Sequence, residues 1–487
     1  LFDGSQFSLR GNNLLGIDLA ASISSNNGLE ISGTRVFDSL GSSVSNAGDV
    51  NNDGIDDLIV GAPRSVNALA GQSYVIFGSS EGLPTNFQVS NLNGNNGFVL
   101  NGTEVRDRTG GSVSGIGDIN NDGIDDLIVG STGKSHVVFG SSKPFPNNIE
   151  LSTLNGGNGF TLVGGSSNSN TKVSDAGDVN DDGIDDLIVR AGELSHVVFG
   201  ASDRFPANLE LSDLDGNNGF TIKGIDFISS ASGAGDINGD GISDLIVGSP
   251  SVDGEGEGND PSQSYVIFGS SAGFPSSIEV SALNGRDGFT LNAINIGDQI
   301  GVSVSDAGDI NGDGIDDLII GSLASPNGKN QAGQSYVVFG SLEPFPATFE
   351  LTDLNGSNGF ILNGIDPSGL AGSSVSGAGD INDDGVDDFV IGAPRQNFNG
   401  QSFLVFGSLE QFPRVLELAD LDGSNGFAIT GINRGDRFGN SVSGAGDINN
   451  DGIDDLIVGA PGANDTGQSF VLFGRQDIVS APNLPTL

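Results

Sequence analysis

The sequence predicts an all-β protein: a seven-bladed β-propeller of four-stranded blades, closed by an N-terminal outer strand pairing into the last blade. Three observations predict it. The string Gly-Asp-x-Asn-x-Asp-Gly occurs seven times, its leading aspartates 58 to 73 residues apart. Four short β-rich segments recur within each period. Finally, the chain opens on a segment of the fourth type and closes on one of the third, so the two ends together complete a seventh unit.

The first segment is Ser-Val-Ser, as at 43–45 and 441–443. The second is Asp-Leu-Ile-Val-Gly directly after the acidic string, at 57–61 and 455–459. The third resembles Gln-Ser-Tyr-Val-Val-Phe-Gly, at 72–78, 334–340 and 468–474. The fourth is Asn-Gly-Phe-x-Leu, at 96–100 and, with Ile in the last place, at 218–222 and 425–429; its N-terminal copy spans 27–31. Gly and Asn at the junctions supply the positive φ of tight turns, and no segment carries a capped helical stripe. An open solenoid is the competing architecture. Its end repeats should be polar and atypical, whereas closure removes unpaired ends altogether. The expected domains are a lead-in over 1–26, one propeller over 27–474, and a tail over 475–487 whose Pro482 and Pro485 read as an exit linker.

Composition narrows the function. With 63 acidic against 18 basic residues the formal charge is -45, so nucleic acid is excluded as a partner for want of a basic stripe, and anionic membrane surfaces are disfavoured. No apolar run approaches the roughly 18 to 20 residues of a transmembrane segment. The absence of Cys removes disulfides, thiolate metal sites and a Cys nucleophile. The chain contains no Met and no basic-then-apolar leader, and reads as a mature or excised segment.

The chemistry sits in a nine-residue loop, Asp-x-Asn-x-Asp-Gly-x-x-Asp, present in all seven repeats. Oxygen donors at alternate positions, a Gly for a sharp bend, and a final carboxylate two residues after a backbone-carbonyl position make a flexible all-oxygen cage. Ca²⁺ prefers such a cage, with about 6 to 8 ligands, whereas Mg²⁺ prefers a small octahedron and keeps its waters. The candidate ligands are Asp49, Asn51, Asp53, Ile55 (carbonyl) and Asp57 in the first loop; Asp118, Asn120, Asp122, Ile124 and Asp126 in the second; and Asp178, Asn180, Asp182, Ile184 and Asp186 in the third. The fourth offers Asp236, Asn238, Asp240, Ile242 and Asp244, and the fifth Asp309, Asn311, Asp313, Ile315 and Asp317. The sixth offers Asp380, Asn382, Asp384, Val386 and Asp388, and the seventh Asp447, Asn449, Asp451, Ile453 and Asp455. Up to seven calcium ions are therefore expected. An EF-hand is excluded, because it needs flanking helices and a Glu at position 12, where the first loop has Val60. Turn chemistry explains one Asp per loop; three at fixed offsets, which repel one another, need a cation. The aspartate before the last ligand, as at Asp56 and Asp454, is replaced by Ser243 in the fourth loop and is read as outer-shell or solvent-facing.

The stretch FGNSVSGAGDINNDGIDDLIVGAP, residues 438–461, resembles the FG-GAP repeat of integrin α-subunit propellers and their bacterial relatives. The resemblance covers nearly the whole chain. It implies calcium on the loops between first and second strands at one face, and ligands or partner subunits at the opposite face. The sequence departs from that pattern at Gly130, Ser131 and Thr132 in blade two and at Arg190, Ala191 and Gly192 in blade three. Long second-to-third-strand loops containing Glu255, Glu257 and Asn330 are expected to project from blades four and five. Arg434, Gly435 and Asp436 spell an adhesive tripeptide that chance explains, and His136 and His196 are read as packing substitutions for Tyr or Phe.

The expected function is an extracellular, calcium-binding β-propeller serving as a binding, adhesion or scaffolding module, with no enzymatic activity. Its partner is a protein or glycan on the face opposite the calcium loops, with self-assembly or further domains of a longer chain as additional partners. A polysaccharide lyase or hydrolase, or a subunit of a homotypic surface fibre, is the alternative.

Overall fold

Each blade is built on four antiparallel strands in a computed structural model that describes residues 7–10, 14–64, 70–165, 170–225, 227–250, 262–295, 297–323 and 331–476. Blade one shows the pattern. Ser43–Gly48 pairs with Asp57–Ala62, which pairs with Gln72–Ile76, which pairs with Gly97–Asn101. The second strand is buried along its whole length, because blade faces on either side cover it. That burial on both faces explains a continuous apolar run where a half-exposed strand would alternate. The first strand is buried only at Val44 and Ala47, its other side chains being partly exposed.

The core lies between blades. Ala47, Ile59, Val75 and Phe98 of blade one meet Val113, Leu127 and Val129 of blade two in one cluster. Five junctions add a stacked phenylalanine pair: Phe98 with Phe145, Phe160 with Phe205, Phe220 with Phe274, Phe289 with Phe345 and Phe360 with Phe412, at centroid separations of 4.3 to 4.5 Å. The second ring of each pair comes from the following blade, out of a Phe-Pro dipeptide after the third strand.

The sheets have five strands rather than four, and that of blade six has six. The extra strand is three residues long and parallel: Asn148–Glu150 of blade two pairs with Gly97–Asn101 of blade one, and the same stitch recurs around the ring. A fourth strand left as the outer edge would expose unpaired backbone groups, and the next blade covers them.

At the seam, Gly28–Ser32 pairs antiparallel with Gln468–Leu472, so the N-terminus supplies the fourth strand of blade seven. It also supplies the stitch, because Leu14–Asp18 pairs parallel with Gly426–Thr430 of blade six and carries Phe7–Arg10 on its other side. The stretch read as a lead-in is therefore part of the ring, and it contains a six-residue helix, Leu19–Ser24, which no stripe announced. Glu255, Glu257, Asn330, Pro482 and Pro485 lie outside the described residues. Among the described residues no helix is long and apolar enough to cross a membrane.

Candidate metal centre

The seven acidic loops connect first to second strands and all emerge at one face. In the first, Asp49 folds the loop around itself: its Oδ1 accepts the N–H of Asp53 at 2.9 Å and its Oδ2 that of Gly54 at 2.7 Å. Asp53 Oδ1 accepts the N–H of Ile55 at 3.1 Å. The fourth position is left-handed, with Asn52 at φ 59°, and every loop fills it with Asn, Asp or Gly, the residues that tolerate this region. Gly54 follows at φ 84° with open space around the position of a Cβ, so backbone conformation rather than room requires glycine there.

The ninth residue is the buried one. Asp57, Asp126, Asp186, Asp244, Asp317, Asp388 and Asp455 are each fully buried. Asp57 Oδ1 accepts the N–H of Gly78 at 2.9 Å, while Oδ2 accepts that of Val50 at 3.2 Å; Asn51 Nδ2 lies 3.3 Å from both oxygens. Burial, then repulsion from Asp53 and Asp49, pushes the Asp57 carboxyl up to about 8 against the hydrogen bonds that favour its charge. The same causes push Asp126, Asp186, Asp244, Asp317 and Asp455 up to about 8 and hold Asp388 well above the usual carboxylate range. In every loop the repelling partners are the aspartates at positions one and five.

Among the described residues no group of three His, Asp or Glu side chains forms a ready-made cage, the oxygens being turned toward the loop's own N–H groups. The donor set nevertheless fits a hard cation. It is all oxygen, its charges repel, and in blade six both side-chain polar atoms of Asn382 and the Oδ2 of Asp388 are buried with no hydrogen-bond partner. A divalent cation bound among these groups would relieve the repulsion and satisfy those oxygens together.

Two supporting sets of residues escaped sequence reasoning. The glycine that ends the third strand donates its N–H to the buried aspartate, and a Cβ on Gly78 would come within 2.7 Å of Ile55 Cγ2 and 2.2 Å of the Asp56 carbonyl. The recurring Phe-Gly after that strand was the available signal. The aspartate before the last ligand is not idle either. Asp125 Oδ2 accepts the N–H of Asp49 in the preceding blade at 2.8 Å, and Asp185, Asp316, Asp387, Asp454 and Asp56 repeat the clasp onto Asp118, Asp236, Asp309, Asp380 and Asp447. Six of these seven positions thus bind blade to blade through a carboxylate; in the fourth loop Ser243 lacks one, and its N–H donates to the Asp178 carbonyl of the preceding blade at 3.3 Å instead.

Outside the loops, His136 and His196 stand where Tyr74 stands in blade one, with Nδ1 at 3.1 and 3.0 Å from Thr161 and Thr221 Oγ1. Burial lowers both to about 4, so they are neutral packing groups. Asp436 of the Arg-Gly-Asp triplet is buried, its carboxylate accepting the Asn433 N–H at 2.7 Å, and Arg434 lies 4.3 Å over the Phe398 ring. The triplet is not presented as a recognition tip.

The FG-GAP repeat family matches at 40–76, 227–267, 302–338, 371–405 and 438–472, which are blades one, four, five, six and seven. Five of the chain's seven blades carry FG-GAP repeats. Blades two and three, where no repeat is matched, keep the complete acidic loop. The propeller is similar to integrin alpha pat-2 of Caenorhabditis elegans, 33% identical over 200 residues, and to integrin alpha-5 of Xenopus laevis, 31% identical over 222 residues; these cover 39% and 42% of this chain. It is also similar to a phosphatidylinositol-glycan-specific phospholipase D of Dictyostelium discoideum, 27% identical over 341 residues, or 63% of this chain. The alignments span 15%, 19% and 33% of those proteins.

Proposed function

We propose that this propeller is an extracellular binding or adhesion module whose seven acidic loops hold calcium at one face and whose opposite face engages a protein or glycan partner. The observation that carries the calcium reading is the repeated triad: in each loop a fully buried aspartate is held by a glycine N–H and repelled by the two aspartates of its own loop. Asp49, Asn51, Asp53, the Ile55 carbonyl and Asp57 would hold the ion in the first loop, and the corresponding residues in the other six. Bound calcium would supply charge neutralisation. The chain's own residues fix the loop, exclude water from its base and, through Asp56 and its counterparts, tie each loop to the neighbouring blade. A Kd of about 0.1 mM in about 1 mM calcium would give each site on the order of 1.4 kcal/mol of folding free energy.

Similarity to integrin α chains supports binding as the activity, and we read the chain as non-enzymatic. The test is elemental analysis of the purified chain together with unfolding in calcium and in chelator. About seven calcium ions and a large loss of stability on chelation are expected; little metal and no change would overturn the reading. Turnover of a glycan or phospholipid panel would overturn the non-enzymatic assignment.

A further inference from the structure

On the face opposite the acidic loops, a cavity of about 480 Å³ opens among the links into blades one, two and seven. Three arginines, Arg64, Arg108 and Arg437, are among the residues that line it. In a chain of net charge -45 with 18 basic residues, this convergence needs a reason. All three side chains are exposed, and among the described residues none forms an ion pair or a side-chain hydrogen bond. One carboxylate, that of Asp465, also lines the cavity.

The links between blades fix how two of these groups leave the backbone. Arg108 and Arg437 have φ of 50° and 57°, and Phe37 at the cavity edge has φ 72° with 73% of its surface exposed. The equivalent link positions Ser39, Gln299 and Leu370 are left-handed too, at φ 59°, 54° and 60°, so this conformation belongs to the repeat and sets the direction in which Arg108 and Arg437 leave the backbone. An exposed Phe37 ring and three arginines around one cavity, with Asn170 and Asn440 also among its lining residues, suit a ligand with a sugar face, hydroxyls and a carboxylate.

We propose that this cavity binds an acidic glycan through a uronate-type sugar, whose carboxylate pairs with the three arginines while its ring lies against Phe37. The proposal rests on the opposite face being the binding face, and it names the ligand class. Charge limits the contact to a short segment, because a long polyanion leaving the cavity meets an acidic surface.

The full chain in 1 mM calcium is titrated calorimetrically with a tetrasaccharide of alternating glucuronate and N-acetylglucosamine, with its carboxyl-reduced form, and with a hexa-aspartate peptide. Saturable binding is expected for the acidic sugar, at least tenfold weaker after carboxyl reduction and at least tenfold weaker for Arg64→Gln or Arg437→Gln. Phe37→Ala should weaken it severalfold. Unchanged unfolding midpoints show that the variants are folded. Equal binding of both sugars, no binding of either, or binding of the peptide alone overturns the proposal. Retention of Arg64→Gln on cell-surface material at the wild-type level also overturns it, while leaving the binding-module reading in place; failure of wild type to be retained on any such material overturns that reading as well.

Discussion

Replacing Asp57 by Asn should stabilise the calcium-free protein and destabilise the calcium-loaded one. Burial and two neighbouring aspartates move this carboxyl from 3.8 to about 8, so in chelator at pH 7 the unfolded chain is ionised while the fold resists ionisation. The linkage sign follows. A raised folded pKa gives stability that is complete below 3.8 and is lost progressively as pH rises toward 8. At about 1.36 kcal/mol per unit over some 3 units, the loss at pH 7 is up to about 4 kcal/mol. Asn removes that cost but turns an amide toward the Val50 N–H that Asp57 Oδ2 now accepts, forfeiting about 2 to 3 kcal/mol. The net gain without calcium is then about 1 to 2 kcal/mol. In calcium at 100 times a site Kd of about 0.1 mM, wild type gains about 2.7 kcal/mol at this loop and the variant gains none. The variant should therefore be the less stable protein by about 1 kcal/mol. Urea unfolding at pH 7 in excess chelator and in 10 mM calcium measures both. A variant destabilised equally in the two conditions would refute the reasoning, because the buried carboxylate would then be a structural acceptor and not part of a cation site.

Three further outcomes are expected. His136 is held neutral, its pKa lowered from 6.5 to about 4, so the stability it contributes is present above 6.5 and lost as pH falls toward 4; His136→Phe should gain about 2 kcal/mol on wild type between pH 7 and 4.5 in urea titrations. Phe98→Ala removes a fully buried ring stacked 4.3 Å from Phe145 and should cost about 3 to 5 kcal/mol, whereas Phe37→Ala should stay within about 0.5 kcal/mol in the same assay. Deleting residues 1–32 strips both the fourth strand from blade seven and the stitch from blade six, and should abolish the cooperative thermal transition seen by circular dichroism; an unchanged midpoint would show that the ring does not depend on its seam.

The sequence by itself determined the repeat, the four main strands of each blade and the nine-residue acidic loops. These are local signals: a buried strand needs a continuous apolar run, and a tight loop needs its Asn, Asp and Gly at fixed offsets. The order of segments at the two ends also placed residues 27–31 against the last blade, because an orphan fourth-type strand has one vacant edge to fill. What only the tertiary structure decided involves pairs far apart in the chain. The parallel stitch strands are three residues long, below what a β pattern can declare, and they exist because the next blade brings them to an exposed edge. The clasp from Asp125 to Asp49 spans 76 residues, so Asp56 and its counterparts looked solvent-facing until neighbouring loops were set side by side. The role of Gly78 depends on Ile55 packing over it, and the gathering of Arg64, Arg108 and Arg437 depends on ring closure bringing position 437 next to position 64. Periodicity along the chain fixes what each blade is, while the contacts between blades come from closing the ring.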